Sequence, residues 1–348
     1  MSATVIRVRR LGVAVRVHPR VPVALLVLLA ITAAAAVAAL TLGELALSPL
    51  EVVRALVGAG DRVSTFTVNE LRLPRIVAAL TIGVGLGVAG AVLQGLTRNP
   101  LAAPEIIGVT AGANVALVIA VFVLPGLPFA ARPFVTFAGA FATMVAVYLL
   151  AWRGGSSPIR LILVGIGITL VGQSIVAGML DQQPGFRLVS VIATLAGSVY
   201  ARGWSDILPV AIWLIVLIPV VFALARQLDV MQLGDDAAGN LGLHVERTRL
   251  VLLLASVAIA AACVAIAGPV GFVGLLAPHI ARMLVGNSHV GVLLTSALAG
   301  GLMVLLADTL GRTVFAPIQV PVGVVTAIVG VPYFLYLLVR SQSMELGR

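Results

Sequence analysis

The sequence predicts an all-α, polytopic membrane protein with about ten transmembrane helices. Of its 348 residues, 61% are hydrophobic and only 10% are charged, whereas about a quarter of the residues in a soluble domain are charged. The mean hydropathy is +1.16, and the apolar residues form runs of about 20, the length that a helix needs to cross a bilayer. A transmembrane β-barrel is typified by alternating segments of about ten residues, and the sequence shows none.

Ten apolar runs supply the predicted spans. They cover residues 22–42, 73–96, 106–124, 134–152, 161–180, 204–225, 250–267, 271–285, 290–311 and 322–339. The first run contains small residues typical of a signal-peptide cleavage region, but it continues past them, and we interpret it as a span. The spans divide the chain into an Arg-rich tail (1–21), a membrane domain (22–340) and a C-terminal tail (341–348).

The basic residues predict the orientation in the membrane. All 22 of them are arginine. If the N-terminus lies in the cytoplasm, fourteen arginines fall on the cytoplasmic side and eight outside, as the positive-inside rule requires. An even number of spans then places both termini in the cytoplasm, as expected in a bacterial-type inner membrane. The net charge of +9 belongs to loops at a membrane surface and not to a nucleic-acid groove.

Residues suited to catalytic or metal chemistry are scarce. The four histidines and the single cysteine have no metal-ligand spacing, and the absence of lysine excludes a P-loop. The string G-x-G-x-x-G at residues 85–90 matches a dinucleotide fingerprint, but it lies within a predicted span without a preceding strand. We interpret the pairs Gly83/Gly87 and Gly108/Gly112 as sites of close helix packing. The sequence therefore predicts no catalytic residue, no metal site and no cofactor bound by this chain.

A polar island at residues 228–249, LDVMQLGDDAAGNLGLHVERTR, separates two of the predicted spans. Its pattern indicates two short helices. The second is expected to begin at Asp235 or Asp236, whose carboxylates can cap backbone N–H groups, and to end at Gly242 in the left-handed C′ position. A solvated loop and a docking surface are both compatible with this pattern.

Charged residues at the ends of the spans are the other candidates. Asp308 and Arg312 are four residues apart on one helix, so we expect them to pair. Arg72 and Arg75 flank Pro74 at the outer start of a span, where lipid headgroups could simply anchor them. With Arg312 they place three positive charges on the outer side, where the positive-inside rule disfavours them. This exception indicates an acidic partner outside the membrane.

Four segments carry a resemblance to a known family. They are LRLPRIVAALTIGVGLGVAGAVLQGLTRNPLAAPEIIGVTAGA, LGDDAAGNLG, GPVGFVGLLAPHIARML, and LADTLGR followed by PVGVVTAIVGVPYFLYLL. In these segments, spread over residues 70–340, the chain resembles the FecCD-type permease subunits of ABC importers for iron siderophores, haem and vitamin B12.

The resemblance implies a type II importer fold and a set of partners. These are a second permease subunit (identical or related), two ATPase subunits that hold ATP and Mg, and an extracytoplasmic substrate-binding protein, with no role for nucleic acid. The implied function is a transport subunit, not an enzyme. The implied cargo is an iron chelate, with a ferric siderophore placed before haem or cobalamin. An ion-gradient-driven secondary transporter is the alternative, and it would need charges at the membrane midplane.

The resemblance also implies three groups of site residues. Contact with the ATPase is implied for Leu233, Gly234, Asp235, Asp236, Ala238, Leu241 and Gly242. A cytoplasmic gate is implied for Asn99 and Leu101, and docking of the binding protein for Arg72, Arg75 and Arg312. A second gate element is expected in SSPIR (156–160), where this chain has Pro158 and Ile159 at positions that can carry small hydroxyl residues in relatives.

Overall fold

The computed structural model is a bundle of α-helices, as the sequence predicts. It describes residues 4–8, 13–17, 20–43, 45–128, 131–152, 158–183, 191–192, 194–314 and 316–346. The helices are α1 (Arg20–Thr41), α2 (Pro49–Leu56), α3 (Arg62–Phe66), α4 (Leu73–Thr97), α5 (Val109–Phe122), α6 (Arg132–Ala151), α7 (Pro158–Asp181), α8 (Trp204–Ala223), α9 (Ala225–Met231), α10 (Asp235–Asn240), α11 (Val245–Ala267), α12 (Val273–Val285), α13 (His289–Thr313) and α14 (Val322–Leu346).

Seven of the described helices are long and apolar enough to cross a membrane, namely α1, the run α3–α4, α6, α7, α8, α11 and α13. Three further apolar helices are shorter: α5, α12 and the segment Val322–Tyr336 of α14. These ten elements match the predicted spans in order, while the number that cross the bilayer stays a prediction. Helix α14 runs on to Leu346, so most of the predicted C-terminal tail is helical.

Three short elements that are not α-helical lie between or before the helices. Residues 67–72 form a π-helical turn between α3 and α4, and Pro104–Ile107 form a 3₁₀ turn before α5. In the predicted N-terminal tail, β1 (Thr4–Val8) pairs antiparallel with β2 (Val13–Val17). The all-α prediction did not include this hairpin, although residues 4–8 and 13–17 are rich in β-branched valine.

Helix α4 lies at the centre of the bundle. In the most apolar windows of α4 and α11, 78% of the residues are buried, against 22% in α1, α7 and α8. The inner helices therefore form a protein core, while the outer ones present aliphatic side chains to their surroundings. Lipid tails are as apolar as these side chains, so packing inside the membrane depends on close contact and not on hydrophobic burial.

Glycines bring α4 and α13 into backbone contact. A Cβ built on Gly83 would lie 2.2 Å from the carbonyl oxygen of Gly300, and one on Gly87 would lie 2.2 Å from that of Ser296. No other residue type fits at this distance, so the prediction of close packing at Gly83 and Gly87 is confirmed. The pair Gly108/Gly112 was predicted less well, because only Gly112 packs closely on another helix, against Thr143 of α6.

Gly108 has a different role. Its φ of +83° places it in the left-handed region, where it ends the 3₁₀ turn and starts α5.

Packing excludes a dinucleotide-binding role for the G-x-G-x-x-G string at residues 85–90. A Cβ on Gly85 would collide with Cys263, and one on Gly90 would lie 1.8 Å from the carbonyl oxygen of Gly274. These glycines leave no room for a ligand.

We expect Gly83→Ala to destabilise the fold, because the added methyl group forces α4 and α13 apart. The cost should be about 1–3 kcal/mol, as for other overpacked cores. Gly178→Ala in α7 is the matched control, since nothing lies within 4 Å of its Cβ position. Thermal unfolding in detergent should show a lower Tm for Gly83→Ala alone; equal Tm values for the two variants would contradict the backbone contact.

Candidate functional site

Arg72, Arg75 and Arg312 line one cavity at the predicted outer end of the bundle. This arginine cavity has a volume of about 520 Å³, and Tyr200, Arg202 and Gln319 also line it. The structure thus brings together three arginines that lie in two regions of the sequence. Arg202 is a fourth member that the sequence-based assignment missed, although its position two residues before Trp204, at a span end, was a usable signal.

Arg75 is held by a buried carboxylate. Its Nε lies 3.0 and 2.9 Å from the two carboxylate oxygens of Asp308, and its Nη2 lies 2.8 Å from Oδ1. Its Nη1 donates to Gln319 at 2.8 Å, and its guanidinium stacks 5.6 Å from the centre of the Tyr200 ring. The side chain of Arg75 is 12% exposed and that of Asp308 is 2% exposed. This geometry fixes the guanidinium in the cavity wall.

The predicted pairing of Asp308 with Arg312 is present, but Arg75 binds the same carboxylate more closely. Arg312 approaches Asp308 only to 4.0 Å, and its Nη2 donates to the carbonyl oxygen of Ala39 instead. Helical spacing allows an i,i+4 pair, but it cannot show that Arg75, 233 positions away, reaches the same carboxylate. Asp308 lies near the C-terminal end of α13, and this position does not support a proton relay at the membrane midplane.

Arg72 and Arg312 both bind the C-terminal end of α1. Arg72 is buried and donates to the carbonyl oxygens of Leu40, Thr41 and Leu45. The last carbonyls of a helix have no partner within it, so these contacts stabilise the end of α1. Carbonyl groups carry no net charge, and the positive charge of both arginines remains in the cavity wall.

The polar island forms two short helices, as predicted. They are α9 and α10, and Gly242 adopts the predicted left-handed conformation with φ +82°. The predicted carboxylate cap is wrong: the N-cap is Gly234, with φ +106° and no side-chain cap. The predicted start at Asp235 is confirmed, but its carboxylate binds Arg98 and Arg249. Two arginines that are distant in sequence outcompete the local backbone N–H groups.

Helix α10 presents apolar side chains at both ends. Leu233 is 64% exposed and Leu241 is 66% exposed. Ala238 is fully buried, while Asp236 is exposed. The helix is therefore fixed to the bundle by its small inner residue and offers two leucines outward. These two leucines are therefore the candidate apolar contacts of the polar island with another protein.

A tight turn follows α4. This gate turn (residues 98–101) begins at Arg98, whose φ of 51° and ψ of 29° are left-handed and end the helix. Asn99 then accepts a hydrogen bond from the backbone N–H of Leu101 at 2.9 Å, an Asx turn that fixes the loop locally. Ser156 and Ser157 of the predicted second gate element (156–160) lie outside the described residues. Pro158 begins α7, and Ile159 is 70% exposed.

Glu105 is a further residue that the sequence did not single out. It lies in the 3₁₀ turn after the gate turn, and its Oε2 is buried without a hydrogen-bond partner. Desolvation raises the pKa of this carboxyl to about 7. Within the described ranges, His, Cys, Asp and Glu form no group of three able to hold a metal ion.

Comparison with known proteins assigns the chain to a family. Residues 26–340 match the FecCD transport family. The chain belongs to this family. It is 41% identical to the Bacillus subtilis (strain 168) probable siderophore transport system permease protein YfhA, over 91% of this chain and 94% of that protein. It is also 41% identical to the achromobactin transport system permease protein CbrC of Dickeya dadantii (strain 3937), over 93% of this chain and 92% of that one.

The fold agrees with the family assignment. One solved structure, described as an inward-facing conformation of a metal-chelate type ABC transporter, superposes with a TM-score of 0.80 at 30% identity. The match covers 91% of this chain and 99% of the other. The FecCD member described here is thus a permease of the ABC importer type, a transport subunit and not an enzyme.

We expect the stability of the FecCD protein to fall as the pH rises through about 7. Because the pKa of Glu105 is raised above 4.5, its stabilisation is complete below about pH 4.5 and is lost through about pH 7. Thermal unfolding in detergent from pH 4.5 to 8 should show a smaller decline for Glu105→Gln than for the native protein. Glu70→Gln, at an exposed position, is the control; identical pH profiles for native protein and Glu105→Gln would exclude this role.

Proposed function

We propose that this chain is the membrane permease of an importer for a ferric chelate, with a ferric siderophore as the first candidate. The observation that carries the proposal is similarity over more than 90% of both chains to permeases named for siderophore and achromobactin transport. A further relative at 40% identity, YfmE of Bacillus subtilis (strain 168), is named for import of Fe(3+)-citrate. These names support an iron-chelate cargo for this chain.

The proposed assembly contains four further components. Two ATPase subunits, holding ATP and Mg, cover the island; a second permease subunit completes the pore; and a substrate-binding protein docks at the arginine cavity. This chain binds no cofactor itself. The complex lies in a bacterial-type inner membrane with both termini in the cytoplasm, as the excess of cytoplasmic arginines supports.

The ATPase contact is proposed at α10. Leu233 and Leu241 project from this helix and suit an apolar groove, while Gly234 and Gly242 allow the sharp turns on either side. Closure of the ATPases on ATP would displace the island together with the attached ends of α8 and α11. The pore then switches between two states biased from a distant site.

The docking contact is proposed at the arginine cavity. Four arginines line it, opposed by the buried Asp308 and the exposed Glu70. The excess positive charge suits an acidic side chain of a binding protein, and such pairs mainly set association rate and register. The hydrogen bonds of Arg72, Arg75 and Arg312 keep this charge in place before a partner arrives.

The proposed function is tested by reconstitution of this chain with an importer ATPase and a substrate-binding protein from the same organism. Proteoliposomes should take up ferric siderophore only when ATP is present on the side of the membrane that carries the ATPase subunits. Ferric citrate, haem and cobalamin, offered in parallel, identify the cargo class. Import driven by an ion gradient without ATP, or the absence of any stable ATPase complex, would reject the proposal.

Leu241→Asp should weaken ATPase association by roughly tenfold or more, the scale of a hot-spot residue, because an unpaired charge would enter an apolar groove. Leu241→Met is the matched control, since it keeps an apolar side chain of similar size. Co-purification of tagged permease with ATPase from membranes measures the effect, and membrane insertion should be unchanged. Equal ATPase recovery with both variants would place the contact elsewhere.

Arg75→Gln should weaken docking of the binding protein and reduce its salt dependence, because it removes one positive charge from the cavity wall. Asp308 would keep Arg312 at 4.0 Å as its remaining cation. Arg54→Gln, on the exposed surface of α2, is the control. Binding-protein affinity for the reconstituted complex is measured at low and high salt; unchanged affinity and salt slope would reduce these arginines to structural supports.

A further inference from the structure

Three hydrogen bonds join the end of α4 to the polar island. Gln232 donates to the carbonyl oxygen of Gly95 at 2.8 Å. Arg98 donates through Nε to the carbonyl oxygen of Met231 at 2.9 Å and through Nη2 to the carboxylate of Asp235. A single guanidinium thus holds the last residue of α9 and the first residue of α10.

Asp235 connects a third element to the same point. Its second oxygen accepts from Nη2 of Arg249 at 2.7 Å, and Nη1 of Arg249 lies 2.8 Å from Glu246. The Arg249 side chain is only 2% exposed, so the base of α11 supplies a fixed anchor. Desolvation raises the pKa of Asp235, but the hydrogen bonds and charges of Arg249 and Arg98 outweigh it and hold that pKa below its ordinary value. The carboxylate is therefore ionised at neutral pH.

We propose that Arg98 is a positioning residue that transmits movement of the polar island to the gate turn. The inference rests on the proposed function, in which α10 meets the ATPase and Asn99 and Leu101 form the gate. Arg98 is the residue immediately before Asn99, and its side chain is bound to both sides of the junction between α9 and α10. When α10 moves, the backbone at Arg98 moves with it, and the gate turn follows without an intervening flexible segment.

The geometry favours this route over a coupling through the helices alone. Arg98 has a left-handed backbone, so its position is set by its side-chain contacts as well as by the end of α4. The planar guanidinium binds two acceptors at a defined angle, which a lysine cannot reproduce. The next turn is closed by the hydrogen bond between Asn99 and Leu101, so displacement at residue 98 carries over to residue 101.

The test uses the complete reconstituted importer and compares Arg98→Gln, Asp235→Asn and the double variant. Arg98→Gln should leave ATPase assembly and ATP hydrolysis near the native level. Import of ferric siderophore per ATP hydrolysed should fall by about fivefold or more, the scale of ordinary allosteric coupling. The double variant should lower import per ATP hydrolysed no further than the worse single variant, because both changes remove the same ion pair between Arg98 and Asp235. Arg98→Lys should keep only part of the native import per ATP hydrolysed.

The gate is read directly with a thiol probe. A cysteine at Leu101, in a Cys263→Ala background, should label differently in nucleotide-free and ATP-trapped importer, and Arg98→Gln should abolish that difference. Arg247→Gln is the matched control, since Arg247 is exposed and lies two residues from Arg249. This variant should label as the native importer does.

The outcomes separate this inference from the proposed function. If Arg98→Gln keeps both the native import ratio and nucleotide-dependent labelling, the transmission role is wrong and the importer assignment stands. If Arg98→Gln prevents ATPase assembly, the residue supports the fold of the island and the transmission role is again wrong. If the native importer itself labels equally with and without ATP, the gate assignment fails, and this inference fails with it.

Discussion

The structure depends on backbone contact between α4 and its neighbours. Gly83 and Gly87 lie directly on α13, and Gly90 lies on the backbone of Gly274. Inside a bilayer, this proximity replaces the hydrophobic force that would hold helices together in water. Because α4 is fixed in this way, the residues at its two ends have defined positions. Arg75 lies at one end in the arginine cavity, and Arg98 lies at the other beside the polar island.

Charged residues are used at the ends of the bundle in two different ways. At the predicted outer end, Arg72 and Arg312 donate hydrogen bonds to carbonyl groups of α1, so their charges persist and the cavity stays positive. At the opposite end, Asp235 is shared by Arg98 and Arg249, so charge is used to join three helices. The first arrangement suits an incoming acidic partner, and the second suits mechanical connection.

The order of the helices and the glycine packing at residues 83 and 87 were predictable, because both follow from local composition and helical spacing. The left-handed Gly242 was predictable for the same reason. The closer partner of Asp308 was not predictable: Arg312 follows from helical spacing, whereas only the packing of α4 on α13 brings Arg75 to the same carboxylate. Asp235 was assigned as a cap because local N–H groups are the only partners visible in sequence. The buried Oε2 of Glu105 likewise depends on neighbours that the turn sequence does not name.

The crossing of α4 and α13 divides α4 into two unequal arms. At a rise of about 1.5 Å per residue, Arg75 lies roughly 12 Å from Gly83, and Arg98 lies roughly 16 Å beyond Gly87. If α4 tilts as a rigid rod about this fulcrum, the two ends swing in opposite directions, and the inner end travels about a third farther than the outer one. A tilt of about 5° about the midpoint of this contact, at Gly85, would displace Arg98 by roughly 1.7 Å and Arg75 by roughly 1.3 Å. The displacements of Arg75 and Arg98, at opposite ends of α4, would then keep a constant ratio, which is set by the positions of Gly83 and Gly87 in the sequence.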